Sequence, residues 1–194
     1  LKKGSKDDQK RVAEILEKDI PDLALIVFFE EVVPDKRSSL YKKLNEKFSF
    51  ECVDTAHDEH STEVQFPFIK HYMEDANIVE LVYSKVDSSY ISKIIDFTLK
   101  QKNCGVIIST DLSHFHSLAD ANNLDEIFVS AVDILDVALL GSGCEACGMI
   151  GVEGMIMSAK KLGLKSKILD YRTSAEMSGD EERVVGYMSA CFNE

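Results

Sequence analysis

"CGVIISTDLSHFHS", residues 104–117, is the stretch on which the reading of the fold turns. Its first half is a short run rich in β-branched residues, the composition of a buried strand, and it stops at Thr110 and Asp111 with two histidines close behind. In open α/β sheets, ligands bind beyond the carboxyl ends of the strands, where loops present polar groups while the strands stay apolar. Asp111 and His114 stand three apart at such a place. A turn there points both side chains into one cleft, as metal ligands or as an acid/base pair whose carboxylate orients the imidazole. The plain alternative is that Asp111 caps a turn and His114 is a surface residue.

Strand and helix patterns alternate on both sides of this stretch. "LALIVFF" (23–29), "IVELVYS" (78–84), "KSKILDY" (165–171) and "RVVGYMSACF" (183–192) read as strands. Helical spacing of apolar residues occurs at Val12, Ile15 and Leu16 within residues 6–19, and at Leu40, Leu44 and Phe48 within 39–48. Further helices are expected over 88–102, over 126–140 with Asn123 or Asp125 as cap, and over about 147–162. This alternation implies one α/β domain over residues 1–194, with three α/β/α layers and a mostly parallel or mixed central sheet. The last two strands supply an antiparallel part.

Composition bounds the function. A net charge of -12 and a pI near 4.9 argue against nucleic acid and anionic membrane surfaces, which need a basic face. The longest apolar runs fall far short of the ~20 residues needed to cross a bilayer, and no leader pattern is visible, so a cytosolic protein is expected. Five scattered cysteines, at 52, 104, 144, 147 and 191, do not suggest a disulfide framework.

The remaining motifs are weaker. "AHDEHSTEVQFPF" (56–68) places His57 and His60 around Asp58 and Glu59, but H-x-E-H is one residue short of the zinc-protease patterns. Thr62 and Gln65 there have the spacing of a capping box. "CEACG" (144–148) contains C-x-x-C without a second pair to complete a zinc site, and two packed small residues at a helix entrance explain it equally. His71 and His116 read as surface residues. No phosphate-binding glycine motif and no nucleophile elbow occur, and Ser174 and Glu176 in "TSAEMSGD" (173–180) matter only if they face the same cleft as His114.

Taken together, "DEHSTEVQFPF", "STDLSHF", "ACG", "YRTSAEMSGD" and "RVVGYMSACF" resemble, in order and spacing, the motifs of the Memo family over about residues 40–194. The resemblance implies a fold like the class III extradiol (LigB-like) dioxygenases, which use non-haem iron, although Memo-like proteins have not generally been assigned that activity. It implies His114 as the acid/base position with Asp111 beside it, and His60 and Glu59 lining the same cleft. Cys147 and Gly148 match the family's "CG" at a helix start.

Two departures follow from the same comparison. Family members carry H-A-G-Y after the first strand and G-P-S-H after the second, whose histidines are the core metal ligands; neither occurs here. The pattern breaks between Val27 and Phe28, where a segment is expected to be missing, by deletion or because this sequence omits part of the natural one. Deleting a strand and its crossover exposes apolar surface and a sheet edge, which favours omission. The second departure is Met177, a poor ligand for borderline ions, where animal relatives have a cysteine; Glu176 beside it is the substitute. His114, Asp111 and Glu176 are thus the metal-ligand candidates, with iron or copper as cofactor. Two functions compete, a metal-associated redox enzyme acting on a small molecule and a non-catalytic module that binds a peptide or phosphopeptide in the same cleft; a catalytically empty scaffold, its histidines truly absent, ranks below both.

Overall fold

The computed structural model describes the backbone of residues 22–28 and residues 39–49, 64–73, 76–83 and 86–194. The helix expected over 6–19, Cys52, His57, Glu59 and His60 lie outside the described residues. The elements are β1 (Asp22–Phe28), α1 (Ser39–Phe48), α2 (Phe66–Tyr72), β2 (Asn77–Tyr83), α3 (Ser88–Leu99), β3 (Cys104–Ser109) and β4 (His114–His116). There follow α4 (Leu118–Asp133), α5 (Val137–Leu140), α6 (Met149–Leu162), β5 (Lys165–Thr173), α7 (Ala175–Ser178) and β6 (Val184–Asn193).

The described strands form two three-stranded sheets where one central sheet was expected. The first is parallel, in the order β2-β1-β3, with Asp22 opposite both Asn77 and Cys104. β1 runs on through the Val27–Phe28 junction, with Val27 opposite Val82 and Phe28 opposite Tyr83. The second is antiparallel, in the order β4-β6-β5. The chain therefore leaves the first sheet at Ser109 and enters the second at His114 within five residues.

Alternation along β2 divides its side chains between two cores, as the two-residue period of a strand requires. Val79, Leu81 and Tyr83 pack with Leu40 and Leu44 of α1, Ile91, Ile94 and Ile95 of α3, and Met155 and Ala159 of α6. Val82, on the opposite face, packs with Ile69 and Met73 at α2. A third cluster joins Phe128, Val129 and Val132 of α4 to Val152 and Ile156 of α6 and Tyr171 of β5.

The stretch 118–140 departs from the single helix expected there. Helix α4 begins eight residues earlier than the expected 126, because Ser117 caps it: its Oγ accepts the Asp120 N–H at 3.2 Å and donates to Asp120 Oδ2 at 2.7 Å. Asn123 and Asp125 are consequently interior to the helix and cap nothing. The helix then breaks at Leu135, whose φ of 58° is left-handed, and Asp136 restarts it by accepting the Ala138 N–H at 2.9 Å. Helix α6 starts at Met149 after Gly148, and it ends at Gly163, whose φ of 71° suits a residue without a Cβ. No helix among the described residues is long and apolar enough to cross a membrane.

Candidate functional site

Four hydrogen bonds to its backbone or to the Thr110 hydroxyl shape the turn between the two sheets. At its start, Thr110 Oγ1 accepts the Gly148 N–H at 2.7 Å and donates to the Asp111 carbonyl at 2.9 Å. At its end, the Leu112 N–H donates to Gly186 O and the Gly186 N–H to Ser113 O, each at 3.0 Å. Between them Leu112 is fully buried while Asp111 is exposed, so the turn anchors on its apolar residue and presents the carboxylate outward.

His114 then lies 3.2 Å from this carboxylate, Nε2 to Oδ2. A carboxylate only accepts, so Nε2 carries the hydrogen, and in the neutral imidazole Nδ1 then keeps its lone pair. The side chains of His114 and Asp111 are 27% and 52% exposed, which leaves both open to a reactant. That exposure also limits the pair to about 1 kcal/mol or less of stability. Phe115, the next residue, adopts φ 62°, a left-handed conformation costing a bulky side chain roughly 1–2 kcal/mol. Its ring is turned to solvent, with the Arg183 guanidinium 5.0 Å from the centroid. Tyr187 is also exposed on β6, and burial of part of its phenol, with the Asp111 charge second, pushes its pKa up.

His116, read from sequence as a surface residue, holds a second imidazole–carboxylate contact, Nε2 to Glu145 Oε2 at 2.8 Å. Its spacing of two from His114 was the available signal; Glu145, 29 positions away, gave none. His71 is exposed on α2 beside Tyr72.

The other predicted residues are placed differently. Cys147 is exposed immediately before Gly148, and so close in sequence to the Thr110 tie, while Cys144 is buried with its thiol on Leu140 O at 2.9 Å. Burial raises the Cys144 pKa, so the two thiols of C-x-x-C occupy unlike surroundings. Ser174 Oγ accepts the Val185 N–H at 3.0 Å, and Val185 is paired on its other side with His114. One strand thus separates Ser174 from His114, roughly 10 Å at two strand spacings. Glu176 accepts from Arg172 Nη1 at 3.1 Å and lines a polar hollow of about 450 Å³ with Glu126, Glu181 and Tyr171, a hollow that includes neither Asp111 nor His114. Met177 is 93% exposed. Among the described residues no three His, Cys, Asp or Glu side chains converge as a metal site.

A larger cavity of about 550 Å³ opens between β3 and β6, lined by Ile108, Thr110, Phe128, Met155, Met188 and Ala190 among others. Gln65 also lines it and donates from Nε2 to Ser109 Oγ at 3.2 Å. The cavity therefore reaches the strand end next to Asp111 from the interior side.

The Tyr83 hydroxyl completes the support behind the turn. It accepts the Gly151 N–H at 2.8 Å and donates to Gly148 O at 3.2 Å, and burial pushes its pKa up to about 12. Neither Tyr83 nor the partner role of Thr110 was marked by any sequence pattern, since both contacts join residues at least 38 positions apart.

The family profile described as Memo-like protein matches residues 31–191. The chain is similar to a MEMO1 family protein of Aquifex aeolicus, 31% identical over 144 residues, which cover 69% of this chain and 54% of the relative. It is similar also to MEMO1 family proteins of Methanobrevibacter smithii, 33% identical over 69% of this chain and 51% of the relative, and Methanococcus maripaludis, 34% identical over 68% and 51%. The chain spans about half the length of these curated relatives.

Proposed function

The chain belongs to the Memo family, and on that premise we propose that the turn after β3 carries an acid/base centre of a redox enzyme related to the extradiol dioxygenases. The observation that carries this reading is the 3.2 Å contact of His114 with Asp111, both open to solvent at the carboxyl end of a parallel strand. Asp111 holds the imidazole by Nε2–H, and Nδ1 takes a proton from a bound small molecule and returns it. Helices against both faces of the parallel sheet support a three-layer arrangement of the dioxygenase kind.

Iron or copper, the cofactors the family resemblance implies, would supply redox chemistry; the described residues do not fit a site for either. Glu176 is engaged by Arg172 and lines another hollow, Met177 points to solvent, and Asp111 and His114 are bonded to each other. Binding, orientation and proton transfer are accordingly the tasks assigned to these side chains. The Val27–Phe28 junction is where we place the missing family segments, and an intact mass equal to 21.7 kDa in the natural protein overturns that placement.

Dioxygen uptake tests the enzyme reading, with catechol as probe and the natural protein, missing family segments included, reconstituted anaerobically with Fe(II) or Cu(I). The expected outcome is turnover that falls on the order of 100-fold or more in His114→Ala. Substoichiometric metal after reconstitution, or equal uptake by wild type and variant, overturns it.

Arg183 over the exposed Phe115 ring favours one second reading, capture of a phosphopeptide beside His114. Calorimetry on metal-free protein with a phosphotyrosine peptide separates the two: binding that Arg183→Ala abolishes, without turnover, supports the binding module.

A further inference from the structure

We propose that Asp125 is a positioning residue for His114, acting through the backbone of Ser113; the inference rests on the acid/base reading of His114. Asp125 is fully buried in the middle of α4, a position that ordinarily holds an apolar side chain. Its carboxylate is aimed at the strands. Oδ1 accepts the Ser113 N–H at 3.0 Å, and Oδ2 accepts the Tyr171 O–H of β5 at 2.7 Å. The third side is made by Gly186 of β6, where a Cβ would fall on Oδ2, so only glycine leaves room for the carboxylate. Gly186 is itself bonded through its backbone to Leu112 and Ser113.

One side chain from a helix therefore joins the turn, β5 and β6 directly before His114. The need for such a clamp is local. β4 has three residues, its pairing with β6 shifts register between His114 and His116, and Phe115 sits in the left-handed region. Asp111 and His114 are thus set on the two ends of a turn that side chains pin at two points, Thr110 to Gly148 and Asp125 to Ser113, beside its backbone bonds to Gly186. Without the carboxylate, the Ser113 N–H is left buried without its acceptor, and the turn shifts to find another.

The Asn122 Oδ1, 3.1 Å from the Tyr171 hydroxyl, supplies a rescue route. In Asp125→Asn, the amide oxygen accepts the Ser113 N–H, the amide nitrogen donates to Tyr171, and Tyr171 turns its hydrogen to Asn122.

The test is the ring nitrogen spectrum of His114, read by NMR on the whole chain without ligand. Wild type is expected to show one tautomer with the hydrogen on Nε2. Asp125→Ala is expected to show a mixture of both tautomers, while His71 on α2 keeps its signals. Asp125→Asn is expected to restore the single tautomer, which a loss of general stability does not do. Should Asp125→Ala not fold, Asp125→Ala with Tyr171→Phe, which removes the phenol left without its acceptor, is read in its place. A folded variant of either kind with the wild-type His114 spectrum overturns the positioning role. A wild-type spectrum already showing both tautomers instead removes the His114–Asp111 bond, and with it the acid/base reading itself.

Discussion

A Cβ at Gly148 would lie 2.6 Å from Thr110 Cβ and 2.8 Å from its Oγ1, closer than real side chains approach. The crowding follows from the bond that Gly148 N–H makes to Thr110, since a backbone must come close to donate to a side chain attached to a β-branched carbon. Gly148→Ala is expected to cost about 1–3 kcal/mol, read as a lower midpoint in urea with unchanged slope. Thr110→Val keeps the shape and removes the acceptor, leaving the Gly148 N–H without it at a cost of about 1–3 kcal/mol. Of the contacts around the turn, that of Asp111 with His114 was legible in the sequence because three-residue spacing beyond a strand is a local pattern. Asp125 was legible only as a helix cap, and its actual contacts, 12 positions back to Ser113 and 46 forward to Tyr171, belong to no local pattern.

The elements were easier to read than their ends. Leu40, Leu44 and Phe48 place α1 over Ser39–Phe48, the span expected, because a continuous apolar stripe leaves little choice of face. The error at α4 has a physical cause: Asn123 and Asp125 are cap-forming residue types, but Ser117 accepts the Asp120 N–H, donates its hydroxyl to the Asp120 carboxylate and starts the helix first. Ser117→Ala is expected to destabilise the protein by about 1 kcal/mol, whereas Asn123→Ala leaves cap energetics untouched, both measured by chemical denaturation. The break at Leu135 was hidden because "DILDVALL" keeps its apolar rhythm across it; Asp136 is the one local sign, as a new cap.

At the scale of the molecule, buried phenols couple stability to alkaline pH. Burial raises Tyr83 from the ordinary 10.0 to about 12, and burial, then the hydrogen bond to Asp125 and its charge, raises Tyr171 as well. Both phenols are neutral below pH 10 in folded and unfolded chains, so their contribution is intact there. Above pH 10 only the unfolded chain releases the protons, so stability falls as pH rises toward 12. For Tyr83 this amounts to roughly 2–3 kcal/mol, and Tyr83→Phe should flatten that part of the decline in denaturant midpoints measured between pH 9 and 12. The sequence by itself determined the α/β class, five of the six described strands and the Asp111–His114 contact in the turn after β3, because hydrophobic period and three-residue spacing act over a few residues; β4, three residues long, was too short to show a period. Only the tertiary structure decided that the strands divide into two sheets, that Glu176 and Ser174 stand apart from His114, and that Asp125, Gly186 and Tyr171 converge behind it. Those are contacts between distant segments, and they depend on which buried polar groups find partners when the chain closes, not on any pattern along it.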